Sequence, residues 1–461
     1  MNALWTSDAI VGATGGTASA PFAVSGVAFD SREVGAGDLF VAMSGETTDG
    51  HRFVEQAFAQ GAAGVLVSRP VEGPHVLVAD TPAALEALGA AARARTSATV
   101  VGVTGSAGKT GTKEALHAAF DRMAQGQAHR SLKSYNNHVG VPLSLARMPA
   151  DTRFGVFEMG MNHAGEIAAL TRMVRPHIAV ITTIAPAHIE NLGSLEAIAR
   201  AKAEIFEGLE PGGTAIVPFD VPQRDILLAA AERHAGRVLT FGLEAGADVR
   251  AAETVASRDG GTLVTATLPG GSVTFSVAQA GAHWASNALA VIATVEAAGG
   301  DVAQAGLALA ELKGMAGRGE RRTIRVRGGE AQLIDESYNA NPASMAATLA
   351  VLGRTDGRRV AVLGAMKELG AHGPALHAGL KEAVEAAGVD FALLVGEEMR
   401  PLAEALEGRA RFAHVAAAAD ALDALNGEVG AGTTVLIKAS NSVGLGRLVA
   451  VLADGALAGD D

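Results

Sequence analysis

The sequence contains no cysteine among its 461 residues. This absence excludes disulfides, thiolate metal sites, cysteine nucleophiles and iron–sulfur clusters. Basic residues are also in deficit, since 37 Lys and Arg face 49 Asp and Glu for a formal charge of −12, which argues against a nucleic-acid-binding protein. No apolar run approaches the ~18 residues that span a bilayer. The first 22 residues show no basic leader followed by an apolar stretch, so we expect a cytoplasmic protein without membrane insertion.

The length predicts about three domains, at roughly 150 residues each. Residues 1–97 hold short strand and helix patterns and are predicted to form a small α/β domain. Residues 98–315 are predicted to form a central domain with a parallel sheet, because strands alternate with helices there. The segment Val249–Val277 is polar and punctuated by glycine, and we predict a small antiparallel insert or meander for it. The central strands are expected at Thr99–Val103, Phe154–Phe157, Ile178–Ile184 and Thr214–Val217.

A glycine-rich stretch from Lys313 to Glu320 predicts the boundary of a third domain, residues 316–461. Strand candidates separated by helical stretches follow it, which is typical of a Rossmann-like doubly wound domain. The fold class predicted for the whole chain is therefore α/β. These strands are expected at Gln332–Asp335, Arg359–Leu363, Phe391–Val395, Arg411–Val415 and Thr433–Lys438.

The strongest motif is a glycine-rich turn between the strand at Thr99–Val103 and a helix expected from Lys113. Glycines let backbone N–H groups approach phosphate oxygens, a lysine at this place reaches the β- and γ-phosphates, and the following threonine holds Mg²⁺. The loop departs from the commonest phosphate loop at Val103, where a glycine is usual, and an ordinary strand–helix turn is the alternative. The ATP-binding residues predicted here are Thr104, Gly105, Ser106, Ala107, Gly108, Lys109, Thr110 and Gly111.

Polar residues follow two further strands of the predicted central sheet. Glu158 ends one strand and His188 lies just past another, so both are expected at the same sheet edge as the phosphate loop. A carboxylate and an imidazole beside a triphosphate can hold a second divalent ion. The alternatives are a residue next to a helix cap for Glu158 and a surface loop residue for His188. Lys202 is expected in a helix over Leu195–Leu209, which by its pattern alone is an amphipathic surface helix.

These residues carry a family resemblance. Thr104–Thr110, Glu158, Ala187–His188 and Ala201–Glu204 together resemble the ATP-dependent Mur ligases of peptidoglycan synthesis. The string Asp335–Pro342, which contains Tyr-Asn-Ala-Asn-Pro, is similar to the signature of the branch that joins D-alanyl-D-alanine to UDP-N-acetylmuramoyl-tripeptide. Further segments also resemble this branch of the family: Asp30–Glu33, Gly37–Ala42, Asp49–His51, Met366–Gly370 and His377. The sequence departs from the family pattern at Asp335-Glu336, Gly364–Met366, Lys438–Asn441 and Pro218–Asp220.

The resemblance covers all three predicted domains and implies a Mur ligase architecture with roles for individual residues. The N-terminal domain would hold the UDP group through Ser31 and Arg32, with weaker candidates at Thr48, Asp49 and His51. Asn136 and Asn137 would bind the muramoyl part of that substrate. For both groups an ordinary turn is the alternative.

The resemblance also assigns residues to ATP and metal. His283 and Asn287 would lie on the adenine side, unless they only cap a helix. Arg318 would reach the ATP phosphates after the C-terminal domain closes, with Asp335, Tyr338 and Asn339 on the same closing face. Asn341 and Ser344 would either join that face or cap the next helix. The metal ligands would be Thr110, Glu158, His188 and Lys202, the last as a carbamate; His188 could instead act as a base.

The activity implied is an ATP-dependent ligation through an acyl phosphate, with Lys109, His188, Lys202 and Arg318 as catalytic residues. ATP, two Mg²⁺ ions and a carbamylated lysine are the implied cofactors. The partners would be UDP-N-acetylmuramoyl-tripeptide and D-alanyl-D-alanine, and we expect a monomer. A sibling ligase or a folylpolyglutamate synthetase that adds another amino acid is one alternative, and a catalytically silent nucleotide-binding regulator is another. The third residue of the tripeptide, diaminopimelate or lysine, stays open.

Overall fold

The computed structural model describes residues 3–45, 48–257, 261–312 and 314–458. Lys313, at the start of the predicted glycine-rich boundary, lies outside these ranges. The strands form three main sheets of five, nine and six strands and one two-stranded ribbon. All strands of each main sheet fall within one predicted domain, while the exact boundaries at 97/98 and 315/316 stay predictions. Within the described ranges, no helix is long and apolar enough to cross a membrane.

The N-terminal sheet has the order β2-β7-β6-β5-β4, and β1 pairs with β3 beside it. Only β2 runs antiparallel to its neighbour in the five-stranded sheet. The central strands β5 and β6 are buried along their whole apolar part, as expected for strands covered on both faces. The elements are β1 Trp5–Thr6, α1 Ser7–Thr14, β2 Thr17–Ala18, β3 Ala23–Val24, β4 Gly26–Ala28, β5 Asp38–Val41, α2 Val54–Ala59, β6 Gly64–Val67, β7 His75–Leu77 and α3 Thr81–Ala94.

The central sheet has the order β16-β15-β14-β13-β12-β11-β8-β10-β9. Strands β8 to β14 pair in parallel, and β14, β15 and β16 form an antiparallel meander. Its strands are β8 Thr99–Thr104, β9 Ala128–Arg130, β10 Phe154–Glu158, β11 Ile178–Ile181, β12 Thr214–Pro218, β13 Arg237–Gly242, β14 Val249–Ala256, β15 Thr262–Leu268 and β16 Gly271–Val277. Its helices are α4 Lys109–Ala124, α5 Gly140–Ala146, α6 Glu166–Val174, α7 Ile189–Leu192, α8 Leu195–Ala203, α9 Arg224–His234, α10 Ala282–Ala297 and α11 Val302–Glu311.

The antiparallel meander predicted for Val249–Val277 is present, and β14 joins it to the main sheet by parallel pairing of Val249 with Phe241. Two other local predictions differ from this arrangement. The helix after the phosphate loop begins at Lys109 rather than Lys113, since the loop itself supplies the first turn. Strand β11 ends at Ile181 rather than at Ile184, although the backbone N–H of the next residue, Thr182, still donates to the Thr104 carbonyl at 2.9 Å.

The C-terminal sheet has the order β17-β18-β22-β19-β20-β21, and only β17 is antiparallel. The predicted doubly wound α/β domain is therefore present, with an antiparallel edge strand that the sequence analysis missed. The elements are β17 Glu320–Val326, β18 Gly329–Glu336, α12 Pro342–Leu352, β19 Arg358–Gly364, α13 Gly373–Ala378, α14 Lys381–Ala386, β20 Phe391–Val395, α15 Arg400–Leu406, β21 Phe412–Val415, α16 Ala421–Leu425, β22 Thr433–Lys438 and α17 Gly446–Ala453.

The two domain junctions differ in kind. Between the N-terminal and central domains, the buried Trp5 donates its indole N–H to the Ala146 carbonyl at 2.8 Å, and the guanidinium of Arg95 lies 3.8 Å from the centre of the Trp5 ring. Helices α3 and α5 pack together there. Between the central and C-terminal domains, an apolar core shared by Ile189 and Met366 is bordered by polar contacts that face the phosphate loop. The catalytic candidates gather at this second junction.

Candidate active site

At two glycines, the backbone of the phosphate loop passes very close to a side chain of another element. Gly105 has a φ of 149°, and a Cβ there would lie 1.9 Å from Oγ1 of Thr182. Gly108 has a φ of 81°, and its Cβ would lie 2.7 Å from Oδ1 of Asn287. Only glycine fits such positions. The hydroxyl of Ser106 is buried and has no hydrogen-bond partner among the described residues, so the loop keeps a free polar group of the kind that a phosphate would bind.

Lys109 begins α4 and lies beneath the loop. Its ammonium donates to the Gly105 carbonyl at 2.9 Å. Burial lowers the pKa of Lys109, the Glu158 charge opposes this effect and the Arg318 charge adds to it. A lysine held among the backbone N–H groups of a loop is placed to meet phosphate oxygens. These positions support the predicted role of the Thr104–Gly111 segment, which stays a prediction.

Glu158 ends β10 and is 2% exposed. Its carboxylate accepts the Thr110 hydroxyl at 2.9 Å and the Asn136 amide at 2.8 Å. The structure therefore brings two of the predicted metal ligands into contact, and it adds Asn136, which had been predicted for substrate. Carboxylate and hydroxyl oxygens suit Mg²⁺, which usually keeps several waters and substrate phosphate oxygens as its other ligands. The donor set at Glu158 and Thr110 thus fits a magnesium ion beside the phosphate loop.

His188 lies just before α7 in a left-handed backbone conformation, with a φ of 59°. Its Nδ1 is 2.6 Å from Oε2 of Glu368 in the C-terminal domain. The hydrogen bond to His188 is the main reason that the pKa of Glu368 is lowered. The sequence analysis missed Glu368 as a site residue, although it falls in the Met366–Gly370 segment that carried the family resemblance. Among the described residues, no three His, Asp or Glu side chains form a group that could hold a metal ion.

Lys202 is not on the surface of its helix, as the pattern alone would suggest. It is 1% exposed near the end of α8, where the helix passes into a 3-10 turn at Glu204–Gly208. Its ammonium makes no hydrogen bond or ion pair with a described residue. Burial, followed by the nearby charge of Lys109, lowers the pKa of Lys202 well below its usual value. Burial therefore favours the neutral form of the amine, and Lys202 lies within electrostatic range of Lys109 in the phosphate loop.

A cleft of about 530 Å³ lies between the phosphate loop, Glu158 and His188 on one side and the C-terminal domain on the other. Arg318 enters it with its guanidinium 4.1 Å from the centre of the Tyr338 ring and one N–H 3.3 Å from the Ser134 hydroxyl. Asn341 caps α12 through Ser344, and its amide also reaches the Ser106 carbonyl at 3.4 Å, so both predicted alternatives for Asn341 are present. Site candidates that line this cleft are Ser106, Ala107, Gly108, Lys109, Thr110, Asn136, Asn137, Glu158, His188, Arg318, Tyr338 and Asn339.

Asp335 lies behind this cleft rather than in it. One carboxylate oxygen accepts the backbone N–H of Gly317 at 2.7 Å, and the other accepts the hydroxyl of Ser337 at 2.6 Å. The first oxygen therefore helps to hold the turn that carries Arg318, and the second holds Ser337 beside Asp335 itself. The predicted contact of Asp335 with ATP stays a prediction.

A second cleft of about 230 Å³ opens on the other side of the loop. The predicted adenine-side residues His283 and Asn287 line it, together with Trp284. Glu336 and Lys438 line it as well and lie 3.2 Å apart; both were seen in the sequence only as departures from a family pattern. Burial lowers the pKa of His283 to about 4, with Glu336 opposing and Lys438 adding to the effect.

The predicted UDP-binding residues of the N-terminal domain do not line these clefts. Arg32 is paired with Asp30 at 2.6 Å, and its side chain is 83% exposed. Ser31 is buried, and its hydroxyl lies 3.4 Å from an oxygen of Gln56. Exposure leaves Arg32 open to a substrate, whereas Ser31 has a partner within its own domain.

The other weak candidates of that domain are held by local contacts. His51 is buried, with Nδ1 2.7 Å from Asp49 and Nε2 accepting the Ser68 backbone N–H at 3.0 Å. Thr48 is exposed and accepts the Gly45 backbone N–H at 3.0 Å. These contacts give His51 and Asp49 a structural role in their turn. In the central domain, Asn137 caps α5 by accepting the backbone N–H groups of residues 139 and 140.

A glycine turn that leads from a parallel strand into a helix beginning with Lys109, next to the buried carboxylate of Glu158, is typical of phosphate-loop enzymes. Comparison with known proteins narrows this class. Residues 103–295 match the Mur ligase middle domain, residues 317–441 the Mur ligase glutamate ligase domain, and residues 23–125 the catalytic domain of the Mur ligase family. The chain belongs to the Mur ligase family.

Individual relatives are similar over almost the whole chain. A UDP-N-acetylmuramoyl-tripeptide–D-alanyl-D-alanine ligase of Synechocystis sp. is 39% identical over 93% of this chain and 92% of its own. The crystal structure of MurF from Acinetobacter baumannii has a TM-score of 0.84 and 32% identity, covering 98% of this chain and 99% of that one. MurF from Thermotoga maritima in complex with ADP has a TM-score of 0.77 and 27% identity, covering 93% and 97%.

Substitution of the phosphate-loop lysine should abolish activity without unfolding the protein. We expect Lys109→Met to lower ligation by roughly 10²-fold or more, since a single charge contact to a transferring phosphoryl group contributes that much. Lys381→Met, which changes a lysine at the start of α14 outside both clefts, is the matched control. ATP-dependent product formation and thermal melting would be measured for both. Lys109→Met activity within about threefold of wild type would contradict the phosphate-loop assignment.

The depressed pKa of His283 predicts a pH dependence of stability. The folded-state value of about 4 lies below the ordinary 6.5, so the unfolded chain binds more protons between these pH values and stability falls as pH drops from about 6.5 to 4. His283→Asn should reduce the loss of unfolding free energy between pH 7 and 4.5 by about 2 kcal/mol. Urea titrations at both pH values would measure it. His234→Asn, at an exposed position, should keep the wild-type dependence; an equal loss in all three proteins would refute the prediction.

Proposed function

We propose that this chain ligates D-alanyl-D-alanine to UDP-N-acetylmuramoyl-tripeptide with ATP, giving the pentapeptide precursor of peptidoglycan, ADP and phosphate. The observation that carries the proposal is the 39% identity to a ligase of that name over 93% of the chain. The position of the Tyr338–Pro342 string also supports the proposal. Its residue Asn341 donates to the Ser106 carbonyl, so the string lies beside the phosphate loop. Because the proposed reaction consumes ATP, we also propose a cytoplasmic location, and we propose a monomer.

The chemistry needs an activated carboxylate, because oxide is too poor a leaving group for direct attack by an amine. In the proposed first step, the terminal carboxylate of the tripeptide attacks the γ-phosphorus of ATP, and ADP leaves with an acyl phosphate formed. Lys109 and Arg318 flank the phosphate loop from two domains and offer fixed positive charge to the developing phosphoryl oxygens. Asp335 positions Arg318 by holding its turn.

A magnesium ion, when bound, would neutralise phosphate charge and polarise the transferring group. Thr110 and Glu158 would hold it, and His188 with a carbamate on Lys202 would hold a second ion. The Nδ1 atom of His188 pairs with Glu368, so Nε2 is the nitrogen that would bind a metal, with Glu368 orienting the ring.

In the second step, the free amine of D-alanyl-D-alanine attacks the acyl phosphate, and phosphate leaves from a tetrahedral intermediate. Water would destroy the acyl phosphate, so the cleft between the central and C-terminal domains has to exclude it. The stacked pair Arg318–Tyr338 and the bridging residue Asn341 lie where the two domains close on the phosphate loop.

The carbamate proposal for Lys202 rests on burial and charge. A neutral amine adds CO₂ and releases a proton, which replaces a cation by an anion. Burial already favours the neutral amine at Lys202, and the absence of a described hydrogen-bond partner leaves the nitrogen available. A positive ammonium at this place would repel a metal ion, whereas a carbamate would attract one.

A product assay distinguishes this proposal from its rivals. Wild-type protein with MgATP, UDP-N-acetylmuramoyl-tripeptide and D-alanyl-D-alanine should give a pentapeptide detected by mass spectrometry and one phosphate per product. A panel with D-glutamate, diaminopimelate, lysine and glutamate tests the sibling ligases, and parallel reactions with diaminopimelate- and lysine-containing tripeptides identify the third residue. Faster phosphate release with another amino acid would refute the proposed acceptor. ATP binding without turnover would favour a silent regulator.

The carbamate itself predicts an unusual rescue. Lys202→Ala should be nearly inactive, by roughly 10²-fold or more, and formate or acetate should restore part of the activity by occupying the place of the carbamate. Lys202→Arg keeps the positive charge and should stay inactive. The same carboxylates should not rescue Lys109→Met, which serves as the control. Substantial activity of Lys202→Arg, or no rescue by either carboxylate, would remove the carbamate from the proposal.

A further inference from the structure

A second buried lysine lies one turn of α4 beyond Lys109. Lys113 is 0% exposed, although no motif in the sequence singled it out. Its ammonium donates to the Lys133 carbonyl at 2.7 Å, pairs with Glu114 at 3.1 Å and lies 4.0 Å from Oε2 of Glu158. A buried ammonium is unfavourable unless its surroundings use its charge and hydrogen bonds. Here the charge of Lys113 faces the Glu158 carboxylate, and its hydrogen bond goes to an irregular backbone segment that contains Lys133.

That segment, residues Ser131–Asn137, is called the junction loop because it contacts all three domains. Tyr135 donates its hydroxyl to Glu33 of the N-terminal domain at 2.8 Å. Ser134 accepts a hydrogen bond from Arg318 at 3.3 Å. In the central domain, Ser131 accepts the backbone N–H of Glu158 at 3.1 Å, and Asn136 donates to its carboxylate at 2.8 Å.

The backbone of the junction loop is held in an uncommon conformation where Lys113 meets it. Lys133 has a φ of 50°, which is unfavourable for a residue with a side chain. Its ammonium pairs with Glu33 on one side, while its carbonyl receives the Lys113 hydrogen bond on the other. Loss of the Lys113 donor would leave that carbonyl without this partner and release the strained turn.

We infer that Lys113 is a positioning residue, whose buried ammonium fixes the junction loop and thereby aims the Glu158 carboxylate at the phosphate site. It acts through Ser131 and Asn136, and it is not among the residues that line either cleft. The inference rests on the proposed function for its kinetic part, while its structural part can be measured without turnover.

The test compares Lys113→Met with Arg93→Met. Methionine keeps the length of the side chain and removes the charge and the donors. Arg93 is also buried, at 4% exposure, and donates to the Val174 and Arg175 carbonyls away from the phosphate loop. Both variants lose a buried cation that binds backbone carbonyls, so a general loss of stability appears in both.

Lys113→Met alone should lower kcat by roughly 10²-fold, because a small misplacement of a positioned group has that effect, while the KM for ATP changes by less than about threefold. Hydrogen exchange should become faster in residues 131–139 of Lys113→Met and not in those residues of Arg93→Met. A kcat within about twofold of wild type with unchanged loop exchange would overturn the inference. Inactive wild-type protein with faster loop exchange in the variant would instead count against the proposed function alone.

A double-mutant cycle tests the route through Asn136. If Lys113 acts by holding the junction loop, adding Lys113→Met to Asn136→Ala should lower kcat much less than it does in wild type. Independent, multiplicative losses would overturn that route. Should Lys113→Met fail to fold, Lys113→Gln retains an N–H donor and replaces it. Failure of both with a folded Arg93→Met would assign Lys113 to folding and overturn the inference.

Discussion

The close approach of the phosphate loop to the end of strand β11 is the constraint on which the site depends. Gly105 passes so near Thr182 that a single added carbon would collide with the hydroxyl. The loop leads directly into α4, whose first residue, Lys109, donates its ammonium to the Gly105 carbonyl at 2.9 Å. Because β10 is the neighbour of β8 on the other side, Glu158 at its end meets Thr110. The predicted nucleotide-binding and metal-binding residues thus meet at one tight turn.

Charges at this site are shared between domains and are balanced by internal partners. Lys109 binds a carbonyl of its own loop, His188 binds Glu368, and Arg318 lies on Tyr338 and reaches Ser134. Under the proposed function, Lys109 and Arg318 would take phosphate oxygens as new partners, whereas His188 could keep Glu368 on Nδ1 and use Nε2 for a metal. Substrate binding would then include an exchange of polar partners at Lys109 and Arg318. Polar contacts suit such an exchange better than apolar packing does, because each hydrogen bond makes only a small net contribution to the free energy of folding.

The sequence predicted the central and C-terminal sheets and the phosphate-loop edge because these depend on local patterns. Strand β8, the glycine turn and Gly-Lys-Thr are contiguous, and Glu158 and His188 follow from the rule that parallel strands end at one edge. Lys202 could not be assigned by pattern, since burial of one helix face depends on what packs against it. Glu368, Glu336 and Lys438 were missed as site residues because they reach the site only through the docking of another domain. The hydrogen bond from the Gly317 backbone to Asp335 was not predicted either, because sequence spacing does not show how a turn folds back onto a strand.

The positions of the two tryptophans have a spectroscopic consequence. Trp5 is buried at the junction between the N-terminal and central domains, whereas Trp284 lines the second cleft, of about 230 Å³, next to Gly111. Indole emission is sensitive to the polarity and contacts of its surroundings. Trp5 should supply a nearly constant background, and Trp284 should respond when a nucleotide enters or the C-terminal domain moves. The protein thus carries an intrinsic optical probe at the place where its domains meet.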